Sequence, residues 1–181
     1  MRLFTGLDLP PEVVHALDAL LDQLRPAARL KWGPPANLHI TTRFIGEWPE
    51  PRLPELRAAL GGISRHAAIP VHVRKLGFFP NLHAPRIFWA GVEAQPDLAA
   101  LAAATDRALE PLGLKPEARP FNPHLTLARI KEPVPLQQLR EAIAALPSLD
   151  FGSFSADRFF LYHSRPGPAG SVYTKLAEFP L

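Results

Sequence analysis

The sequence predicts an α+β fold made of two similar units related by a pseudo-twofold axis. Three observations predict it: a repeated phrase, a repeated order of elements, and a common spacing between the copies. The phrase opens with His-apolar-Thr and occurs at residues 39–47 and again at 124–132. The order strand, helix, strand, helix, strand can be followed twice along the chain.

The spacing between the copies is nearly constant. Phe4 and Phe88, in the similar strand phrases Arg-Leu-Phe and Arg-Ile-Phe, differ in position by 88 − 4 = 84. The motif histidines, His39 and His124, differ by 124 − 39 = 85. A repeat of this length indicates two related units rather than a solenoid. We therefore interpret residues 1–181 as one domain with repeat halves at about 1–82 and 83–181.

Local signals justify each element of the first unit. Alternating apolar residues predict a strand before Pro10-Pro11, which open a helix with apolar side chains at helical spacing. The motif itself reads as a strand. Gly61-Gly62 end the next helix, and Pro80-Asn81 form the turn after the last strand. The expected elements are strands at 2–9, 38–45 and 69–79 and helices at 11–24 and 49–60.

The second unit repeats this pattern and adds a closing pair of strands. Gly113 stops its long Ala- and Leu-rich helix. A Pro- and Gly-rich loop at 165–170 separates the last two strands. The expected elements are strands at 86–93, 124–130, 154–164 and 172–179 and helices at 96–112 and 136–146.

Composition excludes several classes of protein. The chain has 181 residues, an apolar fraction of 47% and no cysteine, so a disulfide framework, a thiolate nucleophile and a Cys-ligated zinc are excluded. Neither a run of 18 apolar residues nor a basic start followed by an apolar segment is present, and we expect a cytoplasmic protein. The net charge of +3 suits an anionic substrate but does not identify one.

The repeated motif carries the chemistry. In a strand, the first and third residues of His-x-Thr point to one face, so two copies can bring His39, Thr41, His124 and Thr126 to one cleft. Histidine titrates between pH 5 and 8, so one imidazole can be neutral while its twin is protonated. Such a pair can take a proton from an attacking hydroxyl and give one to a departing oxygen. The threonine hydroxyls can bind a phosphate oxygen or steady the imidazoles.

The motifs and their surroundings resemble the two-histidine (2H) phosphoesterase superfamily, and within it the RNA 2′,3′-cyclic phosphodiesterase family, also called 2′-5′ RNA ligases. The phrase Pro-His-Leu-Thr-Leu-Ala-Arg, ending at Arg129, is the most specific part of the likeness. The first motif departs from the family pattern at Thr42, where leucine is usual, and at Arg43. The likeness also includes the N-terminal strand and the closing strand with Leu161 and Ser164.

This resemblance implies a bilobal fold of two antiparallel sheets with flanking helices and an active-site cleft between them. It implies hydrolysis of a 2′,3′-cyclic phosphate to a 2′-phosphomonoester without metal or other cofactor, and reversible joining of 2′-5′ linkages. The partner would be RNA with a 2′,3′-cyclic phosphate or a 2′-5′ linkage, with no membrane involved and the protein a monomer. His124 would be the proton acceptor and His39 the proton donor.

Two arginines are candidates for binding the substrate phosphate. Arg129 matches the family's arginine, although strict alternation from His124 would point it away from the cleft unless a twist or bulge redirects it. Arg43 shares the face of His39 and Thr41 by alternation. We interpret the aromatic residues at 4, 32, 48 and 78 as core rather than as base-stacking residues, and the histidines at 15, 66, 72, 83 and 163 as surface or core.

Four hypotheses remain open from the residues. The leading one is a metal-free cyclic phosphodiesterase acting on RNA ends. A second keeps both histidines but acts on a small cyclic phosphate or trims RNA 3′ ends. A third is a non-catalytic RNA-binding module, and a fourth is a metal site built on histidine.

Overall fold

The computed structural model describes residues 1–64 and 67–181. The prediction for His66 lies outside these residues. The first half contains six elements: β1 (Arg2–Leu7), α1 (Pro11–Leu24), β2 (Lys31–Trp32), β3 (Ile40–Glu47), α2 (Leu53–Gly61) and β4 (Ile69–Phe79). The second half contains seven: β5 (Ile87–Glu93), α3 (Asp97–Leu109), β6 (His124–Arg129), α4 (Gln137–Ala144), β7 (Asp150–Ala156), β8 (Arg158–Gly167) and β9 (Gly170–Pro180).

The predicted elements are present, and the differences are local. The strand expected at 154–164 is two strands, because Asp157 separates β7 from β8 and the two belong to different sheets. The short strand β2 was not predicted. The first turn of the helix expected at 49–60 and the last turn of the one expected at 96–112 are 3-10 helices, Glu50–Arg52 and Glu110–Leu112.

Two fully antiparallel sheets form the molecule. One has the strand order β3-β1-β8-β9, and the other has β2-β6-β5-β4-β7. Under the repeat β3 corresponds to β6 and β1 to β5, and each motif strand pairs with its corresponding neighbour, which places the two motif strands at corresponding positions. Strands β3 and β6 also approach each other across the gap between the sheets. The predicted α+β fold with two antiparallel sheets is confirmed.

The outer face of each sheet is covered by helices. Helix α1 packs on β7 and α4, while α3 packs on β3 and α2. One continuous apolar core joins these layers, and its fully buried members include Leu17, Leu21, Leu98 and Leu101. In the described ranges, no helix combines the length and apolar character needed to cross a bilayer. The opposite faces of the two sheets are left to form the cleft.

Candidate active site

Each motif strand contains a β-bulge immediately after its threonine. In the first motif Thr41 pairs with Gly6 and Arg43 with Thr5, which leaves Thr42 as the extra residue. In the second, Thr126 pairs with Trp89 and Ala128 with Phe88, which leaves Leu127 as the extra residue. The offset between Thr42 and Leu127 equals the offset between the motif histidines, so the repeat has kept the bulge along with the motif.

The bulge decides which later side chains face the cleft, because one extra residue reverses the alternation of faces. On β6, His124, Thr126 and Arg129 pair with Gly91, Trp89 and Ile87, which are alternate residues of β5 and share one face. Arg129 therefore lies on the same face as His124 and Thr126. The redirection by a bulge that the sequence analysis required for Arg129 is present.

The bulge at Thr42 in β3 turns Arg43 away from the cleft. Arg43 pairs with Thr5, on the face of β1 that is opposite to the face of Gly6 and Phe4. Its guanidinium forms an ion pair with Asp106 on α3, donates to the carbonyl oxygen of Phe44 at 2.7 Å and also donates to the carbonyl oxygen of Lys115. The expected phosphate contact from Arg43 is therefore wrong on geometry: the side chain joins β3 to α3.

The equivalent of Arg129 in the first motif is Phe44, at the same offset that relates His39 to His124. Phe44 pairs with Phe4, so it faces the cleft, and it is 56% exposed, which is unusual for so large an apolar side chain. The pseudo-twofold thus places a cation on one side of the cleft and an aromatic ring on the other. Sequence analysis missed Phe44, although its match in the repeat to Arg129 was a usable signal.

Hydrogen bonds to the backbone fix the orientation of both imidazoles. Nδ1 of His39 is 2.6 Å from the carbonyl oxygen of Asn37, and Nδ1 of His124 is 2.8 Å from the carbonyl oxygen of Asn122. A carbonyl oxygen only accepts, so Nδ1 carries the hydrogen in each ring. The proton exchanged in any reaction is therefore held on Nε2.

Neighbouring rings also hold both histidines, and a threonine hydroxyl contacts His39. Nε2 of His39 is 2.9 Å from Oγ1 of Thr41. The ring of His39 packs against Phe4 at 4.7 Å and edge-on against Tyr173 at 5.0 Å, between centroids. The ring of His124 packs edge-on against Phe79 at 5.1 Å. These contacts leave the two imidazoles little freedom to rotate.

The two motif strands lie close together, since β3 and β6 contact each other across the gap between the sheets. Burial lowers the pKa of His39, the carbonyl of Asn37 opposes that effect, and the positive charges of Arg129 and His124 lower the pKa further. Arg129 and His124 belong to the other sheet, so their charges reach His39 across the cleft. The structure thus brings His39, His124 and Arg129 into one site.

The aromatic residues that we interpreted as core lie in the core or pack against it. Trp48 is buried beneath the guanidinium of Arg52, which lies 4.7 Å from the ring centroid. Trp32 donates from Nε1 to the carbonyl oxygen of Ala28 at 3.1 Å. Phe78 stacks on Phe88 at 4.9 Å. Phe4 is buried and also supports the ring of His39.

Comparisons with known proteins agree with this site. A family model described as the 2′-5′ RNA ligase superfamily matches residues 10–168. The chain is 36% identical to an RNA 2′,3′-cyclic phosphodiesterase of Thermus thermophilus, over 100% of the chain and 90% of that protein. It is 31% identical to an RNA 2′,3′-cyclic phosphodiesterase of Methanothermobacter thermautotrophicus, over 100% of the chain and 99% of that protein.

Two solved structures share the fold of this chain over nearly its whole length. A crystal structure from Thermus thermophilus superposes with a TM-score of 0.84 at 35% identity, and the match covers 100% of this chain and 98% of that one. Escherichia coli LigT complexed with 3′-AMP superposes with a TM-score of 0.77 at 26% identity, and the match covers 99% of this chain and 97% of that one.

Proposed function

The chain belongs to the 2′-5′ RNA ligase superfamily, and from this premise we propose that it hydrolyses 2′,3′-cyclic phosphodiester ends of RNA by acid/base catalysis between two histidines. The single observation that carries the mechanism is the pair of imidazoles with Nδ1 bonded to a backbone carbonyl, one from each sheet. Relatives named RNA 2′,3′-cyclic phosphodiesterase support the reaction. The assignment of donor and acceptor follows the family pattern.

In the proposed reaction, Nε2 of His124 accepts a proton from water as the water oxygen attacks phosphorus. The bond from phosphorus to O3′ breaks, and Nε2 of His39 gives its proton to O3′. The products are a 2′-phosphomonoester and a free 3′-hydroxyl. Each transfer typically contributes about 10²- to 10⁴-fold to the rate. Proton exchange with solvent then restores the starting forms.

The lowered pKa of His39 couples protonation to substrate binding. In the free protein the charges of Arg129 and His124 favour the neutral form of His39, after the larger effect of burial. A bound phosphodiester brings a negative charge between these groups, which favours the protonated form. Thr41 and Thr126 are the hydroxyls beside the two rings that we assign to the non-bridging oxygens, and Arg129 is the cation.

An RNA substrate, rather than a small cyclic phosphate, is supported by a second cation beside Arg129. Lys31 of β2 pairs directly with Arg129 of β6, so both project from the same face of the sheet. Within the described residues neither has a carboxylate partner within 4.0 Å. Two adjacent free cations suit a chain of phosphodiesters. The same ring opening, with a 5′-hydroxyl in place of water as the nucleophile, would form a 2′-5′ linkage and release the 3′-hydroxyl.

The test compares an RNA hexamer that ends in a 2′,3′-cyclic phosphate with a 2′,3′-cyclic mononucleotide. We expect the protein to convert the hexamer to a 2′-phosphate end with the higher kcat/KM, at the same rate with and without EDTA. Equal or better turnover of the mononucleotide would indicate the small-molecule alternative. Binding without turnover would indicate an RNA-binding module, and loss of activity in EDTA would indicate a metal site.

A further inference from the structure

The imidazole of His124 packs against two aromatic side chains that the proposed reaction does not yet use. The ring of Phe79, at the end of β4, meets the ring of His124 edge-on, at 5.1 Å between centroids and an interplanar angle of 85°. The indole of Trp89, on β5, packs on Phe79 in turn, at 5.1 Å and 35°. Among the described residues, Phe79 is the one aromatic side chain that packs against His124. The three rings therefore form a continuous stack that ends at the imidazole.

Gly77 of β4 makes room for the indole of Trp89. The two residues pair directly, and Trp89 also pairs with Thr126, so the indole lies on the face of the sheet that carries the second motif. A Cβ at Gly77 would lie 2.2 Å from Cζ2 of Trp89 and 2.5 Å from Cη2. Gly77 is not among the glycines with a positive φ, so the position uses the missing side chain rather than backbone freedom. The place of the indole therefore depends on the absence of a side chain at Gly77.

His124 has fewer supports than His39. The ring of His39 packs against three aromatic rings, and its Nε2 contacts the hydroxyl of Thr41 at 2.9 Å. Within the described part of the chain, the one hydrogen bond of the His124 ring is that of Nδ1 with the carbonyl oxygen of Asn122. That bond fixes Nδ1, whereas the χ2 torsion of a histidine has broad minima. The edge-on contact with Phe79 is what restricts the rotation of the His124 ring, and so the direction of its Nε2.

Resting on the proposed function, we infer that Phe79 and Trp89 are positioning residues for proton transfer by His124, and that Gly77 seats the indole of Trp89. In the proposed reaction, Nε2 of His124 must lie within hydrogen-bond reach of the attacking water, about 2.6–3.2 Å. A displacement of about 1 Å at a reacting group can cost about 10²-fold in rate. The stack prevents such a displacement because it acts on the imidazole. A change in the stack should therefore alter kcat more than KM.

The first test is Gly77→Ala, whose methyl group displaces the indole and, through it, Phe79. On the RNA hexamer with a terminal cyclic phosphate we expect kcat to fall about tenfold or more, with KM changed by less than about twofold. Gly77→Ala/Trp89→Phe replaces the indole by a shorter ring, and we expect its kcat to recover to within about threefold of that of Trp89→Phe alone. Gly61→Ala is the matched control, because a Cβ at this position in α2 meets no atom within 4 Å, and it should change neither constant.

A second background separates positioning from general damage to the fold. In His124→Ala the group to be positioned is gone, so we expect Gly77→Ala to cost less than about twofold there but its full factor in His39→Ala. Phe79→Leu keeps an apolar side chain without the ring, should follow the same pattern, and serves in place of Gly77→Ala should that variant fail to fold.

Three results would overturn the inference: equal losses in the wild-type and His124→Ala backgrounds, a wild-type kcat in folded Gly77→Ala or in Phe79→Leu, or no recovery with Trp89→Phe. A wild-type protein that does not turn over the hexamer would instead refute the proposed function.

Discussion

At the scale of single residues, a backbone carbonyl determines what each motif histidine can do. The carbonyl oxygens of Asn37 and Asn122 accept from Nδ1 and leave Nε2 to exchange protons. In both copies of the motif an asparagine stands two residues before the histidine, and its backbone carbonyl makes the contact. The sequence therefore showed which residue is involved, but not that its backbone rather than its side chain contacts the imidazole.

The charge on Arg129 gives a direct test at this scale. Burial, and then the charges of Arg129 and His124, lower the pKa of His39 below its ordinary value of 6.5. We therefore expect the pKa of His39 to rise in Arg129→Met, because one of those positive charges is removed while the burial remains. The measurement is an NMR titration of the imidazole nitrogens, which also reports whether Nδ1 carries the hydrogen.

The control for that titration is Arg107→Met, an exposed position on α3 outside the cleft. We expect it to leave the pKa of His39 unchanged. An unchanged pKa in Arg129→Met would show that Arg129 lies too far from His39 to act on a shared phosphate.

At the scale of elements, the paired bulges explain both the success and the error of the sequence analysis. Alternation placed His39 with Thr41 and His124 with Thr126 correctly, since each pair precedes its bulge. It failed beyond the bulge, where Arg43 turns outward. A bulge has no fixed sequence signal, because it depends on how the neighbouring strand pairs. At Gly6 the strands approach so closely that a Cβ would lie 2.7 Å from the carbonyl oxygen of Ile40.

Element boundaries were predictable where a strong local signal exists. Strand β4 has the predicted bounds, because its apolar alternation runs to a proline turn. The break at Asp157 was missed, although the consecutive charged residues Asp157 and Arg158 interrupt the alternation there. The separation of β7 from β8 depends on their pairing with β4 and β1, and such long-range pairing is not written in the local sequence.

The ion pair between Arg43 and Asp106 links β3 to α3 and gives a prediction at this scale. The side chain of Arg43 is 10% exposed and that of Asp106 is 21% exposed. Removal of the Arg43 cation therefore leaves the Asp106 carboxylate largely buried without this ion pair. We expect Arg43→Met to lower the free energy of unfolding by roughly 3 kcal/mol, measured by urea denaturation. Activity of the folded protein at low temperature should stay close to that of the wild type.

Arg43→Met/Asp106→Leu is the matched variant, and we expect it to recover part of the lost stability because no unpaired charge remains. A variant of Arg43 that keeps full stability but loses kcat/KM would show that the arginine contacts substrate after all.

At the scale of the whole molecule, the two halves of the sequence are interlocked. Strand β4 of the first half joins the sheet of β5 and β6, and β8 of the second half joins the sheet of β1 and β3. Helix α3 of the second half likewise packs on β3 of the first. Each sheet therefore needs both halves, and this exchange holds the two motif strands at a fixed separation across the cleft. The repeat in the sequence predicted two units but not their exchange of strands.

In the proposed reaction a proton donor and a proton acceptor from opposite sheets act on one phosphodiester. The most direct measurement is kcat/KM for the hexamer with the cyclic phosphate between pH 5 and 9, for the wild type, His39→Ala and His124→Ala. We expect a bell-shaped wild-type profile, a loss of at least about 10²-fold in each variant, and the disappearance of one limb of the bell in each. A variant with near wild-type turnover, or a wild-type rate independent of pH across that range, would contradict the account.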